Sequence, residues 1–120
     1  MTLAATLVVV LVALLHAWFL VLEMFLWATP RGRRAFGTTV EQAEASKVLA
    51  ANQGLYNGFL AAGLLWGLTL GAGGFAVIVF FLACVIVAGV YGAATANRRI
   101  LFVQALPAAL TLAVLLLARA

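Results

Sequence analysis

Four long apolar segments alternate with short polar connectors along the chain. They cover about residues 3–28, 48–70, 75–96 and 100–117. Each is close to or above the ~20 residues with which an α-helix crosses the hydrocarbon of a bilayer. The second and third connectors hold only a few residues, so the helices that they join must run antiparallel. The pattern predicts an all-α protein, an integral membrane four-helix up-down bundle that forms a single transmembrane domain over residues 1–120.

The first connector, residues 29–47, is the longest polar stretch of the chain. Pro30 is expected to end the first apolar helix, because the residue before a proline avoids the helical region. Gly37 marks a turn, and Thr38 with Glu41 three residues later indicates a capping box. No helix breaker follows, so we predict one continuous helix from about Thr39 to Leu70. Its first turns are expected to project from the bilayer into the cytoplasm.

The composition agrees with a chain that is surrounded by lipid. Hydrophobic residues make up 68% and charged residues 8% of the chain, against the ~45–50% and ~25% of soluble domains. The mean hydropathy is +1.24. One cysteine, Cys84, excludes a disulfide and a thiolate metal cluster within one chain. The basic residues that produce the net charge of +4 lie in connectors, which indicates a lipid bilayer and no nucleic acid as the partner.

The basic residues also predict the orientation of the chain. Six of the seven lie in the first and third connectors: Arg31, Arg33, Arg34, Lys47, Arg98 and Arg99. Only Arg119 lies on the opposite side of the predicted bilayer. Connectors rich in Lys and Arg stay in the cytoplasm. We therefore expect both of these connectors to be cytoplasmic, and the N and C termini to be extracytoplasmic.

Polar side chains inside the apolar segments fall into two layers. At about 1.5 Å per residue, one layer lies roughly 7–9 Å below the cytoplasmic boundary and a second roughly 15–20 Å below it. Side chains seven residues apart share one helix face, as His16 and Glu23 do. If these faces meet, they form an intramembrane polar pocket that is open to the cytoplasm and closed outside. The predicted lining is His16, Glu23, Asn52, Gln53, Tyr56, Asn57, Tyr91 and Gln104.

These residues leave several functions open. An ionisable side chain within a span is costly and marks function by default, so binding of a small molecule at Glu23, with transport if the outer half opens, is the leading hypothesis. The same amides can instead hold a bundle together, as in an accessory or scaffold subunit of a larger assembly. A third hypothesis is a membrane-embedded enzyme that uses Glu23 and His16. One His and one Glu are too few for a metal site, and no cofactor is indicated.

Glycines recur on two faces of the second apolar segment. Small residues four apart let helices approach closely in lipid. Packing against neighbouring helices of the same chain is the simpler interpretation. The other interpretation is a homo-oligomer whose interface uses Gly54, Gly58, Gly63 and Gly67.

Four sequence motifs are similar to those of one family of small bacterial membrane proteins. They are His16–Trp27, which continues into Thr29–Arg33, Ala50–Leu60, Gly89–Ala94 and Phe102–Gln104. On these motifs the chain resembles the domain of unknown function family 1304 over nearly its whole length. The resemblance implies a four-span protein of the bacterial plasma (inner) membrane, and it implies no activity.

Overall fold

The computed structural model describes residues 1–119, which fold into helices connected by short turns. The α-helices are α1 (Leu3–Met24), α2 (Pro30–Phe36), α3 (Val40–Thr69), α4 (Phe75–Thr95) and α5 (Leu106–Arg119). A 3₁₀ turn, Gly71–Gly74, precedes α4, and a π-helical segment, Leu101–Ala105, runs into α5. No β-strand occurs in this part of the chain. The predicted all-α class is confirmed.

Three helical stretches are long and apolar enough to cross a membrane. They are Leu3–Met24, Gly71–Thr95 and Leu101–Arg119. The remaining predicted span, residues 48–70, lies in α3, which is the longest helix at 30 residues and is not one of these three stretches. Its first turns carry charged residues, among them Glu44 and Lys47, which form an ion pair of 3.0 Å. The chain thus has the apolar helices of a membrane protein, with α3 more polar than the other three.

α1 ends at Met24, before the predicted boundary near residue 28. Side chains bind the backbone of the turn that follows. The Thr29 hydroxyl donates to the Leu26 carbonyl at 2.6 Å, and the Arg33 guanidinium donates to the Ala28 carbonyl at 2.7 Å. Carbonyls beyond the end of α1 therefore have partners without a continued helix.

The Thr29–Pro30 pair starts a helix instead of ending one. Thr29 is the N-cap of α2, and its side-chain oxygen accepts from the Gly32 amide at 3.3 Å. Pro30 occupies the first turn, where its missing N–H removes no helical hydrogen bond. A Cβ on Gly32 would collide with the carbonyl oxygens of Leu26 and Trp27, so glycine lets α2 lie against the turn after α1.

α3 starts and ends within one residue of the predicted Thr39–Leu70 helix. The predicted capping box of Thr38 and Glu41 is wrong by one position. Thr39 and Gln42 form it: the Thr39 amide donates to Gln42 Oε1 at 2.9 Å, and the Gln42 amide donates to Thr39 Oγ1 at 3.1 Å. Thr38 is already engaged, because its amide donates to the Arg33 carbonyl at 3.1 Å and so closes the end of α2 after Gly37.

The described chain forms two compact units, of which one comprises residues 14–61 and the other residues 1–13 with 62–119. In the second unit, α4 lies against the π-helical segment. A Cβ on Gly89 would lie 2.7 Å from the Ala105 backbone nitrogen, so two backbones nearly touch. Pro107 follows two residues after the last residue of the π-helical segment, Ala105. Proline cannot donate the regular helical bond and crowds the carbonyl four residues back, which accounts for the local widening.

The four glycines of the predicted oligomer interface contact side chains of their own chain. Gly54 and Gly58 lie against α1, where Leu20 is a neighbour of both. Further along α3, Gly63 lies against the Phe81 ring of α4 and Gly67 against Ile78. The structure thus gives these glycines roles in helix packing within the chain. The homo-oligomer stays a prediction.

Candidate functional site

Glu23 and Asn57 form a buried hydrogen-bonded pair within residues 14–61. The Asn57 side-chain amide donates to Glu23 Oε1 at 2.5 Å. Glu23 is 5% exposed and Asn57 7% exposed. Gly54 explains how α3 comes so close to α1, since a Cβ there would lie 3.0 Å from Glu23 Cβ and 2.7 Å from Met24 Cγ. Because Gly54 has no side chain, the two helices approach closely enough for the Asn57 amide to reach the carboxylate.

Glu23 has a hydrogen-bond donor but no positively charged partner among residues 1–119. The ion pair of this part of the chain joins Glu44 to Lys47 instead. An amide donor stabilises a carboxylate without cancelling its charge. A buried carboxylate that is not neutralised is costly. Glu23 could therefore accept a cation or a further hydrogen-bond donor.

Glu23 also lines a cleft of about 510 Å³, within the range of small-molecule sites. We name it the Glu23 cleft. Its walls come from the end of α1, the turn after it and the part of α3 that faces them. The lining residues are Glu23, Met24, Phe25, Trp27, Ala28, Lys47, Val48, Ala51, Asn52 and Leu55. Most of this lining is apolar, so the few polar groups in it determine what it can recognise.

Trp27 is held in one orientation in the wall of this cleft. Its indole Nε1 donates to Ser46 Oγ at 3.1 Å, and the Ser46 hydroxyl donates onward to the Gln42 carbonyl at 2.7 Å. The indole also packs on the Phe36 ring, with the two ring centroids 4.7 Å apart. The tryptophan therefore joins the turn after α1 to both α2 and α3.

The other residues that were predicted to line a pocket on these two helices have different surroundings. His16 is completely buried and meets the Phe19 ring edge-on at 5.2 Å between centroids. Asn52 lines the cleft, although its amide donates to the Val48 carbonyl of its own helix at 3.0 Å. Gln53 and Tyr56 are exposed and are not part of the cleft lining.

The two remaining predicted residues lie on later helices. Tyr91 is 70% exposed on α4, and Gln104 is half-buried in the π-helical segment. The structure thus brings Glu23 and Asn57 into contact and places Asn52 with Glu23 in the lining of the cleft. A ligand-binding role stays a prediction for all eight residues.

Sequence reasoning did not place Trp27, Lys47 or the apolar walls in the site. The sequence indicates Lys47 only as a marker of the cytoplasmic side. The Ser46 partner of Trp27 becomes visible only once α1 ends early and the chain turns. Among residues 1–119, no three His, Cys, Asp or Glu side chains are grouped so that they could hold a metal ion.

These features describe a helical protein with membrane-compatible helices and one buried acid–amide pair beside a cleft. The family model described as "Protein of unknown function (DUF1304)" matches residues 10–116. The chain belongs to this family, which confirms the resemblance seen in the motifs. Every residue of the Glu23 cleft lies within the matched region.

One similar protein is "Uncharacterized protein YpaA" of Lactococcus lactis subsp. lactis (strain IL1403). It is 31% identical over 106 residues, which cover 87% of this chain and 89% of the relative. The similarity thus extends over nearly the full length of both proteins. No solved structure matches the chain.

Proposed function

We propose that this chain is a multi-pass membrane protein that binds a small molecule in the Glu23 cleft. The observation that carries the proposal is the Glu23 carboxylate, which is 5% exposed, accepts from Asn57 and yet lines the cleft. Burying an acid in an apolar site costs stability. A site that keeps one there and leaves it reachable from a cleft is typical of ligand recognition.

The proposed topology places α1, α3, α4 and α5 across the bacterial inner membrane as an up-down bundle. A helix of 30 residues such as α3 is about 45 Å long, which is enough for one span and a cytoplasmic extension. The basic residues of α2, Arg31, Arg33 and Arg34, support a cytoplasmic location for this connector. The Glu23 cleft, whose lining includes Lys47, would then open toward the cytoplasm, and both termini would be outside.

Transport is the extension of this proposal, and it requires a second state in which the site opens to the other side. The enzyme hypothesis that uses Glu23 and His16 has less support. His16 has no exposed surface, so a substrate would reach it only after the helices separate. The two side chains are also seven positions apart, which places them about 10 Å apart along α1.

An accessory subunit of a larger membrane assembly is the second candidate. The observation in its favour is the polar surface of α3, where Gln53 and Tyr56 are exposed. Polar side chains that face outward in a membrane are stabilised by hydrogen bonds to another helix. In that case the amides of α3 would serve assembly, and the Glu23 cleft would be empty in the native membrane.

Native mass spectrometry of protein extracted gently from its own membrane distinguishes the two candidates. We expect a co-purifying small molecule that is lost in Glu23→Gln. Glu41→Gln is the matched control, because Glu41 is an exposed glutamate at the start of α3, outside the cleft lining. It should retain the molecule. A protein that carries no small molecule but remains bound to other subunits would contradict the proposal and favour the accessory role.

A further inference from the structure

We infer that the ligand of the Glu23 cleft is a lipophilic organic cation, that is, an amine or a quaternary ammonium with apolar substituents. The inference rests on the proposed function and specifies the chemistry of its ligand. Three observations carry it: the uncompensated charge of Glu23, the pairing of the one cation in the cleft with another residue, and the aromatic and aliphatic walls.

The first observation concerns the buried end of the cleft. The donor that Glu23 has is the neutral Asn57 amide, and within residues 1–119 its carboxylate forms no ion pair with Lys or Arg. A buried charge is tolerated when it is paired. A bound cation would supply a partner of opposite charge for the carboxylate. An anionic ligand would meet repulsion at the same place.

The second observation concerns Lys47, the cation in the lining. Its ammonium lies 3.0 Å from Glu44 Oε2, and both side chains are more than half exposed, at 57% and 55%. Its charge is thus balanced by Glu44 and by solvent, at the rim of the cleft. Lys47 is therefore neither a counter-ion for Glu23 nor an unpaired cation that would attract an anion.

The third observation concerns the body of the ligand. Phe25, Trp27, Val48 and Leu55 supply apolar surface around Glu23. Tryptophan is the best ring for holding a cation against its face, and the hydrogen bond to Ser46 at 3.1 Å limits how the indole can turn. A strongly hydrated inorganic ion would gain nothing from these walls. A cation with apolar groups uses the carboxylate and the walls together.

A pair of ions with the same shape and opposite charge tests the inference. Tetraphenylphosphonium and tetraphenylborate both carry four phenyl groups on one central atom. In equilibrium dialysis with the full chain in detergent, we expect saturable binding of tetraphenylphosphonium and none of tetraphenylborate. Glu23→Gln should weaken phosphonium binding by about tenfold or more, as for the loss of a buried charge partner. Glu41→Gln should bind as the unaltered protein does.

Glu23→Asp keeps the test decisive if Glu23→Gln does not fold, because it retains the charge and moves it back by one methylene. We expect Glu23→Asp to bind the phosphonium more tightly than a neutral variant does. The neutral variant is Glu23→Gln or, if that does not fold, Glu23→Met. Equal phosphonium affinity in the charged and neutral variants would overturn the inference, and so would saturable binding of tetraphenylborate at the cleft.

The same experiments separate a wrong ligand class from a wrong function. A neutral or anionic molecule that co-purifies with the protein and is lost in Glu23→Gln would overturn the cation inference and leave ligand binding in place. The absence of any co-purifying molecule together with no phosphonium binding would overturn both proposals.

Discussion

Asn57 on α3 donates a hydrogen bond to Glu23 on α1, across 34 positions of the chain and a distance of 2.5 Å. Both side chains are more than nine-tenths buried. The contact depends on the close approach of two helices at Gly54, where a Cβ would lie 3.0 Å from Glu23 Cβ. Helix packing and the chemistry of the site therefore rest on the same few residues.

Asn57→Ala should destabilise the fold, because it leaves a buried carboxylate without its donor. The expected loss is ~1–3 kcal/mol of unfolding free energy, measured by thermal or denaturant unfolding in detergent. Gln53→Ala is the control, since it removes an exposed amide from the same helix and should cost less than ~0.5 kcal/mol. A double-mutant cycle with Glu23→Gln should give a coupling of ~0.5–3 kcal/mol. Additive effects of the two changes would argue against the contact.

Gly54→Leu should separate α1 from α3 and weaken ligand binding as well as stability. Even a Cβ at this position would be 2.7 Å from Met24 Cγ and 3.2 Å from the Leu20 carbonyl oxygen, and overpacking of this kind costs ~1–3 kcal/mol. Unfolding and phosphonium dialysis on the same sample measure the two effects. Gly73→Leu is the control, since nothing lies within 4 Å of a Cβ there. Equal behaviour of the two variants would contradict the proposed close approach.

Gly32→Ala should disrupt the turn after α1. Its Cβ would meet two carbonyl oxygens of the backbone, those of Leu26 and Trp27, and a backbone cannot turn aside as a side chain can. We expect a loss of ~1–3 kcal/mol and a shift in tryptophan fluorescence as Trp27 leaves Ser46. If the variant is as stable as the unaltered chain and its emission does not change, α2 does not pack on this turn.

Thr39→Ala and Thr38→Ala separate the observed capping box from the one predicted from the sequence. Thr39 Oγ1 accepts from the Gln42 amide, so Thr39→Ala should cost ~1 kcal/mol. Thr38 Oγ1 is buried and makes no hydrogen bond within residues 1–119, so its removal should cost less than ~0.5 kcal/mol. Unfolding of the two variants side by side is the measurement. The reverse order of stabilities would restore the Thr38–Glu41 box.

Trp27→Leu should weaken binding of tetraphenylphosphonium while leaving the charge of the site intact. A cation over an indole gains ~0.5–1 kcal/mol or more, which corresponds to a roughly two- to fivefold loss of affinity. Trp27→Phe keeps an aromatic ring and should lose less. Trp66→Leu is the control, because Trp66 is an exposed tryptophan of α3 outside the cleft lining. Equal affinities of Trp27→Leu and Trp66→Leu would exclude the indole from the site.

Several elements could be predicted from the sequence because they depend on local patterns. Apolar runs of sufficient length predict membrane-spanning helices without knowledge of their neighbours. The predicted continuous helix from Thr39 to Leu70 is confirmed to within one residue at each end. Glu23 and Asn57 could be singled out because polar residues in apolar segments are costly and so need a partner. The end of α1 was less predictable. It depends on Thr29 and Arg33, whose side chains bind carbonyls of the preceding turn.

The position of the capping box also depends on a neighbouring element and not on the local sequence alone. Thr38–Glu41 and Thr39–Gln42 both fit the pattern of a hydroxyl residue followed three positions later by Glu or Gln. The choice between them was made by the end of α2, which uses the Thr38 amide. Where a local pattern fits at two positions, the neighbouring element of the fold determines which position is used.

The sequence by itself determined the helical class, the length of the apolar segments and the family, because these follow from residue type and spacing. It also singled out Glu23 as an ionisable residue within an apolar segment. Only the tertiary structure decided which partner it has: Asn57 meets Glu23, whereas Gln53 and Tyr56, which lie nearby on the same helix, are exposed. The physical reason is that the rotation of a helix about its axis is set by packing. Gly54 brings one face of α3 against α1, and that contact determines which side chains are buried.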